Sequence, residues 1–158
     1  MRVATRILFV MIFALYWGGL TFYTGFVVRI IHSVLNNPMD GGLITQKVTI
    51  VLQTLGLCTI PLMLVNDFTV ARSSRRLGLA LLTLTLVLSS SLVALFIVHW
   101  QLDAVIDTKE MSITNRIEFD SAHRRYNQST TVQWIAAVLY LPLAVHSWRV
   151  TDSRTPAP

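Results

Sequence analysis

Four stretches of this chain, 7–28, 48–66, 77–102 and 126–148, contain no Asp, Glu, Lys or Arg; they are 22, 19, 26 and 23 residues long. A helix rises roughly 1.5 Å per residue, so each stretch is long enough, or nearly so, to cross a hydrocarbon core of roughly 30 Å. All the formal charges fall in the remaining residues. An ion is costly in hydrocarbon, and a bilayer imposes this kind of segregation. The pattern predicts an all-α fold: a four-helix transmembrane bundle with up-down topology and both termini cytoplasmic. Its spans lie at about 7–31, 44–66, 77–100 and 126–148, with an outer loop at 101–125 and a tail at 151–158. With 53% hydrophobic and 13% charged residues the chain is not disordered, and 158 residues leave no room for a second soluble domain beside the bundle.

Charge sets the orientation. Arg2 and Arg6, the segment holding Asp67, Arg72, Arg75 and Arg76, and the tail with Arg149, Asp152 and Arg154 carry the whole net charge of +5. The opposite side balances Arg29, Lys47, Lys109, Arg116, Arg124 and Arg125 against Asp40, Asp103, Asp107, Glu110, Glu118 and Asp120. Positive charge is retained in the cytoplasm, so the termini and the Arg72–Arg76 turn are expected inside. The first apolar run continues through Phe22, Tyr23 and Val28 with no small-x-small cleavage site, so it reads as a span and not a secretory signal. The basic balance belongs to membrane topology, and no nucleic-acid partner is expected. A single cysteine, Cys58, rules out a disulfide within one chain.

Within the spans, Gly18, Thr21, Phe22 and Gly25 share one helical stripe where a neighbouring helix is expected to approach closely, with a ligand pocket against Tyr16, Trp17 and Tyr23 as the alternative. Asn36-Asn37-Pro38-Met39-Asp40-Gly41-Gly42 is a turn between the first two spans. Gln53 and Gln133 lie at similar depth in the second and fourth spans and are expected to hydrogen-bond to each other. Pro61 and Pro142 are expected to kink their helices. Asn66 and Asp67 are expected to end the second span at the inner surface, followed by the Arg-rich turn as an anionic-lipid contact.

One patch carries candidate chemistry. His99, Asp103 and Asp107 are spaced i, i+4, i+8 and line one face if the third helix continues outward; Asp120 and His123 are i, i+3 on the returning segment. His32 arrives at the same level. Two or three histidines beside carboxylates form an inventory for a transition metal, assembled from three segments and without an HExxH motif. The same residues also fit a solvated loop paired with Arg116, Arg124 and Arg125. A haem is disfavoured, because no histidine reaches the middle of the bundle and no c-type attachment sequence is present. A charged transport relay is disfavoured because the spans hold no acidic or basic side chain.

Trp17-Gly18-Gly19 with Phe22, and Phe119 followed by His123, Tyr126 and Asn127, resemble the pattern of the transmembrane-protein-205-like family of small four-helix membrane proteins, which contain a domain of unknown function. That resemblance covers roughly residues 7–148, implies a multi-span membrane protein, and marks His123 without giving it a role. The leading expectation is a non-enzymatic, multi-pass protein of the cell membrane whose outer patch binds a small ligand, a metal or a partner. A membrane redox or metal-dependent enzyme, and a subunit of a homo-oligomer or larger membrane complex, are the alternatives.

Overall fold

The computed structural model describes residues 3–107, 110 and 112–153. Arg2, Lys109, Arg154 and the end of the tail lie outside the described residues. Four long helices account for nearly all of the chain: α1 (Val3–Val34), α2 (Pro38–Ser73), α3 (Arg75–Ala104) and α4 (Arg116–Asp152). A two-residue hairpin, β1 (Ile106–Asp107) with β2 (Ser112–Ile113), joins α3 to α4, pairing Ile106 with Ile113. The fold is therefore all-α. The segments Val3–Val34, Met39–Ser73 and Arg75–Ala104 are long and apolar enough to cross a membrane. α4 is the longest helix and a more polar one, because its outer half carries Asn127, Gln128, Ser129, Thr130, Thr131 and Gln133.

Local chemistry sets the helix ends. Asn37 caps α2, its Oδ1 accepting the Met39 N–H at 3.0 Å, with Pro38 opening the helix. Asn115 caps α4 in the same way, accepting from the Glu118 N–H at 3.2 Å. Between α2 and α3 only Ser74 leaves helical geometry, so the Arg-rich turn is tighter than its composition predicts. Gly78 makes that reversal possible: a Cβ there would lie 2.4 Å from the Ala71 Cα. α2 and α4 continue without a break through Pro61 and Pro142.

The inner half of the bundle is solid. Phe9, Phe13 and Tyr16 of α1 pack with Met63 and Val70 of α2, Leu81 and Leu88 of α3, and Tyr140 of α4. Ala136, Ala137 and Ala144 keep α4 close to its neighbours. The Tyr140 ring stacks on Phe13 at 5.7 Å, and Phe9 meets Trp148 edge-on at 6.0 Å. The outward surface is apolar instead, with Leu8, Met11, Phe26, Leu57, Phe68 and Leu86 exposed. Side chains of this kind facing out all along long helices are suited to lipid contact.

A polar network crosses this inner core. Asp67 is only 1% exposed; Oδ1 accepts the Tyr140 hydroxyl at 2.6 Å and Oδ2 the Thr85 hydroxyl at 2.6 Å. Asn66 donates to the Tyr140 oxygen at 3.0 Å and accepts the Trp148 indole N–H at 2.7 Å. The expectation that Asn66 and Asp67 sit at the inner surface is thus corrected: α2 runs on to Ser73, and both side chains turn into the bundle. The stripe on α1 also differs from expectation. Gly18 and Gly25 face open space, whereas a Cβ on Gly19 would lie 3.1 Å from Leu52 and one on Gly56 would press on the Tyr16 ring.

The first helix is tied to the last at its start. Arg6 donates two N–H bonds to Asp152 at 2.6 and 2.7 Å, and its guanidinium lies 5.3 Å from the centre of the Trp148 ring. The Arg6 hydrogen bonds hold the Asp152 carboxyl below its ordinary range. Its contribution is therefore full above about pH 4 and is lost as pH falls through the lowered native value. Because Asp152 is more than half exposed, Asp152→Asn is expected to cost no more than about 1 kcal/mol. In unfolding titrations in mixed micelles, the difference from the parent should shrink below about pH 4. Asp67→Ala removes the acceptor of two buried hydroxyls and should cost about 2 to 5 kcal/mol, with Thr85→Val nearer about 1 kcal/mol in the same assay.

Candidate functional site

The outer half of the bundle is hollow. A cavity of about 900 Å³ lies between the four helices, and each helix contributes residues at turn spacing. α2 presents Gly42, Thr45, Gln46, Thr49, Leu52 and Gln53, and α3 presents Leu95, His99, Leu102 and Asp103. From α4 come Arg116, Phe119, His123, Tyr126, Asn127, Thr130 and Gln133, a run of about 25 Å along the axis. Ile106, Ser112 and Ile113 of the hairpin lie at the mouth.

α1 supplies Tyr16, Leu20, Tyr23, Thr24, Val28 and His32, and it does so through a distortion. Residues four apart on an α-helix drift by about 40° per step, so over three such steps Leu20 and His32 would diverge by about 120°. A π-helical turn at Tyr23–Val27, closed by the Val28 N–H on the Tyr23 carbonyl, takes up much of that drift. Val28 and His32 thereby stay on the wall that Leu20 and Tyr23 begin.

The deep wall is polar but holds no acidic side chain, lysine or arginine. Tyr16, Gln53 and Gln133 are 1%, 4% and 1% exposed, and Tyr23 and His99 are 5% and 9% exposed. The Tyr16 and Tyr23 hydroxyls, Thr45 Oγ1, both amide atoms of Gln53, Gln133 Nε2 and His99 Nε2 are all buried without a hydrogen-bond partner. Tyr23 faces Thr45, and Tyr126 faces Gln53, without closing well-formed bonds. His99 Nε2 is 3.7 Å from Asp103 Oδ2, beyond hydrogen-bond reach. Every one of these side chains lines the same cavity. The charged groups stand at its outer end, where the Gln46 side-chain amide donates to Asp103 Oδ1 and joins α2 to α3.

The candidate residues divide accordingly. His32, His99, Asp103 and His123 all line the cavity, and His123 stacks on Phe119 at 5.9 Å. Asp107 and Asp120 do not join them. α3 stops at Ala104, so Asp107 falls in β1, where its Oδ1 accepts the Glu110 N–H at 3.1 Å, and the i, i+4, i+8 alignment ends at Asp103. Asp120 lies on the outer surface of α4, 3.6 Å from Arg116, beside a shallow groove with Ser121, Arg124 and Arg125. Among the described residues no three His, Cys, Asp or Glu side chains come close enough to hold a metal ion, so the expected ligand set is split.

The expected Gln53–Gln133 hydrogen bond is also corrected. Both residues are buried at the depth anticipated, but they address the cavity and not each other. Sequence reasoning missed Thr45, Thr49, Tyr126 and Thr130 as members of the site. A signal was present in the series Gly42, Thr45, Gln46, Thr49, Gln53, a small or polar stripe at helical spacing inside an apolar segment.

Paired cysteines test the arrangement in a Cys58→Ala background. Gln46→Cys with Asp103→Cys should crosslink with a short reagent, whereas Asp103→Cys with Asp120→Cys should not; the reverse result would place the α4 wall wrongly. No protein-family model, curated protein or solved structure matches this chain.

Proposed function

We propose that the chain is a four-span, multi-pass protein of the cell membrane that binds a small organic ligand in the cavity at the outer end of its bundle. One observation carries the ligand: partnerless buried polar atoms on all four helices converge on a single cavity. A buried donor or acceptor left unpaired costs about 1 to 3 kcal/mol, so several around one void favour a guest that pairs with them. The split carboxylates weigh against a metal as that guest.

The fourth span is supported by the Arg6–Asp152 pair, which holds the start of α1 and the end of α4 together, and by the charge-free run 126–148. The Lys/Arg distribution supports cytoplasmic termini. Of the residues that carry the resemblance to the transmembrane-protein-205-like family, Phe119, His123, Tyr126 and Asn127 all line the cavity, which fits a shared site.

Two experiments test this reading. Native mass spectrometry from mild detergent should show a non-protein adduct on the parent that is missing from folded Leu95→Trp, in which the indole projects into the cavity between the α3 and α4 walls. A bare parent would remove the ligand. For topology, single cysteines replacing Ser73, Ser112 and Ser153 in the Cys58→Ala background are probed with an impermeant thiol reagent. Only the Ser112 position should label in intact cells; labelling at the Ser153 position would reduce the spans to three.

A further inference from the structure

We infer that the ligand is a neutral ring compound bearing an oxygen at opposite ends, of the quinone type. This rests on the cavity being a ligand site and concerns what that site selects.

Charge comes first. Tyr16, Gln53 and Gln133 form the floor, and each lies in a stretch with no acidic or basic residue. An ionic group placed there would lose its hydration with no counter-charge to compensate, so the part of the ligand that reaches the floor is neutral. A plain hydrocarbon tail is disfavoured for the opposite reason, since it would leave the same amides and hydroxyl unpaired.

The polarity of the lining comes next. Among the partnerless atoms of the floor, Nε2 of Gln53, Nε2 of Gln133 and the Tyr16 hydroxyl are donors, three against the single acceptor-only atom, Oε1 of Gln53. Their complement is an acceptor oxygen, which a carbonyl supplies. A second tier lies above, with the Tyr23 hydroxyl, Thr45 Oγ1 and His99 Nε2 also partnerless. The backbone of Tyr23 is two helical turns above that of Tyr16, about 10 Å. A six-membered ring with a carbonyl at each end, and a hydrogen bond of about 2.8 Å beyond each, bridges a span of that order. Between the tiers the walls are Leu20, Leu52 and Leu95 with the Tyr126 ring, which suit the faces of a flat apolar ring.

The test uses 2,3-dimethyl-1,4-naphthoquinone, whose substituted ring offers no open position to the thiol of Cys58, against 2,3-dimethylnaphthalene, the same outline without oxygen. Equilibrium dialysis with the purified full chain should show saturable quinone binding about tenfold or more tighter than the hydrocarbon. Gln53→Leu and Gln133→Leu should each weaken the quinone by about tenfold and leave the hydrocarbon unchanged or tighter. Leu95→Trp should abolish both. Equal binding of the two probes, or quinone affinity indifferent to both glutamine variants, overturns recognition through oxygen while leaving the cavity a ligand site. No quinone binding together with a native adduct of another class overturns the quinone inference alone. No binding and no adduct means a cavity filled by water only, and both readings fall.

Discussion

The Asp67 carboxyl, held by Tyr140 from α4 and Thr85 from α3, is the contact on which the remainder of the bundle depends. In a bilayer the helices gain little from apolar burial against one another, because lipid is as apolar as a leucine. Specific pairing then has to come from close packing and from polar groups that cannot find water elsewhere. Asp67 and Asn66 sit on α2 and reach α3 and α4 through four side-chain bonds, and Trp148 passes the register on to Arg6 and Phe9 of α1. One knot therefore fixes all four helices at one end.

Fixing one end leaves the other free to open. The inner half is filled by aromatic rings packed on one another and on Met63, Leu81, Leu88 and the alanines of α4. In the outer half, threonines, glutamines and tyrosines occupy the inward positions and do not reach across to one another. The bundle is thus a clamp with a solid base and a hollow top, closed over the mouth by Gln46 with Asp103 and by the hairpin. Charge is excluded from the hollow below the mouth. That separation allows selection by hydrogen-bonding pattern and shape rather than by ionic attraction.

Helix number and approximate helix positions were legible because charge placement along this chain is nearly binary, and the long charge-free runs that end at Arg29, Asp67, Asp103 and Arg149 leave few alternatives. The gathering of His32, His99, Asp103 and His123 at one end of the bundle followed from counting residues along those helices. Their division from Asp107 and Asp120 did not follow, because it depends on where α3 ends and on which way α4 is rotated, and one helical turn of difference decides each. Gln53 and Gln133 were placed at the right depth, but whether two amides bond or part depends on the width of the gap between helices, which no single-chain spacing encodes. Asp67 was misread for a related reason: an acidic residue at the edge of an apolar run resembles a boundary until its partners on other helices are known.

The π-helical turn at Tyr23–Val27 divides α1 into two segments with separate phases. Were that turn to close as ordinary α-helix with its residues unchanged in number, everything beyond it would rotate by about 100°, while Phe9, Phe13 and Tyr16 kept their places in the base. His32 and Val28 would then swing off the wall toward lipid. The wider turn therefore aims the rim of this helix independently of its foundation, and the packed end of the bundle does not register which way the rim faces.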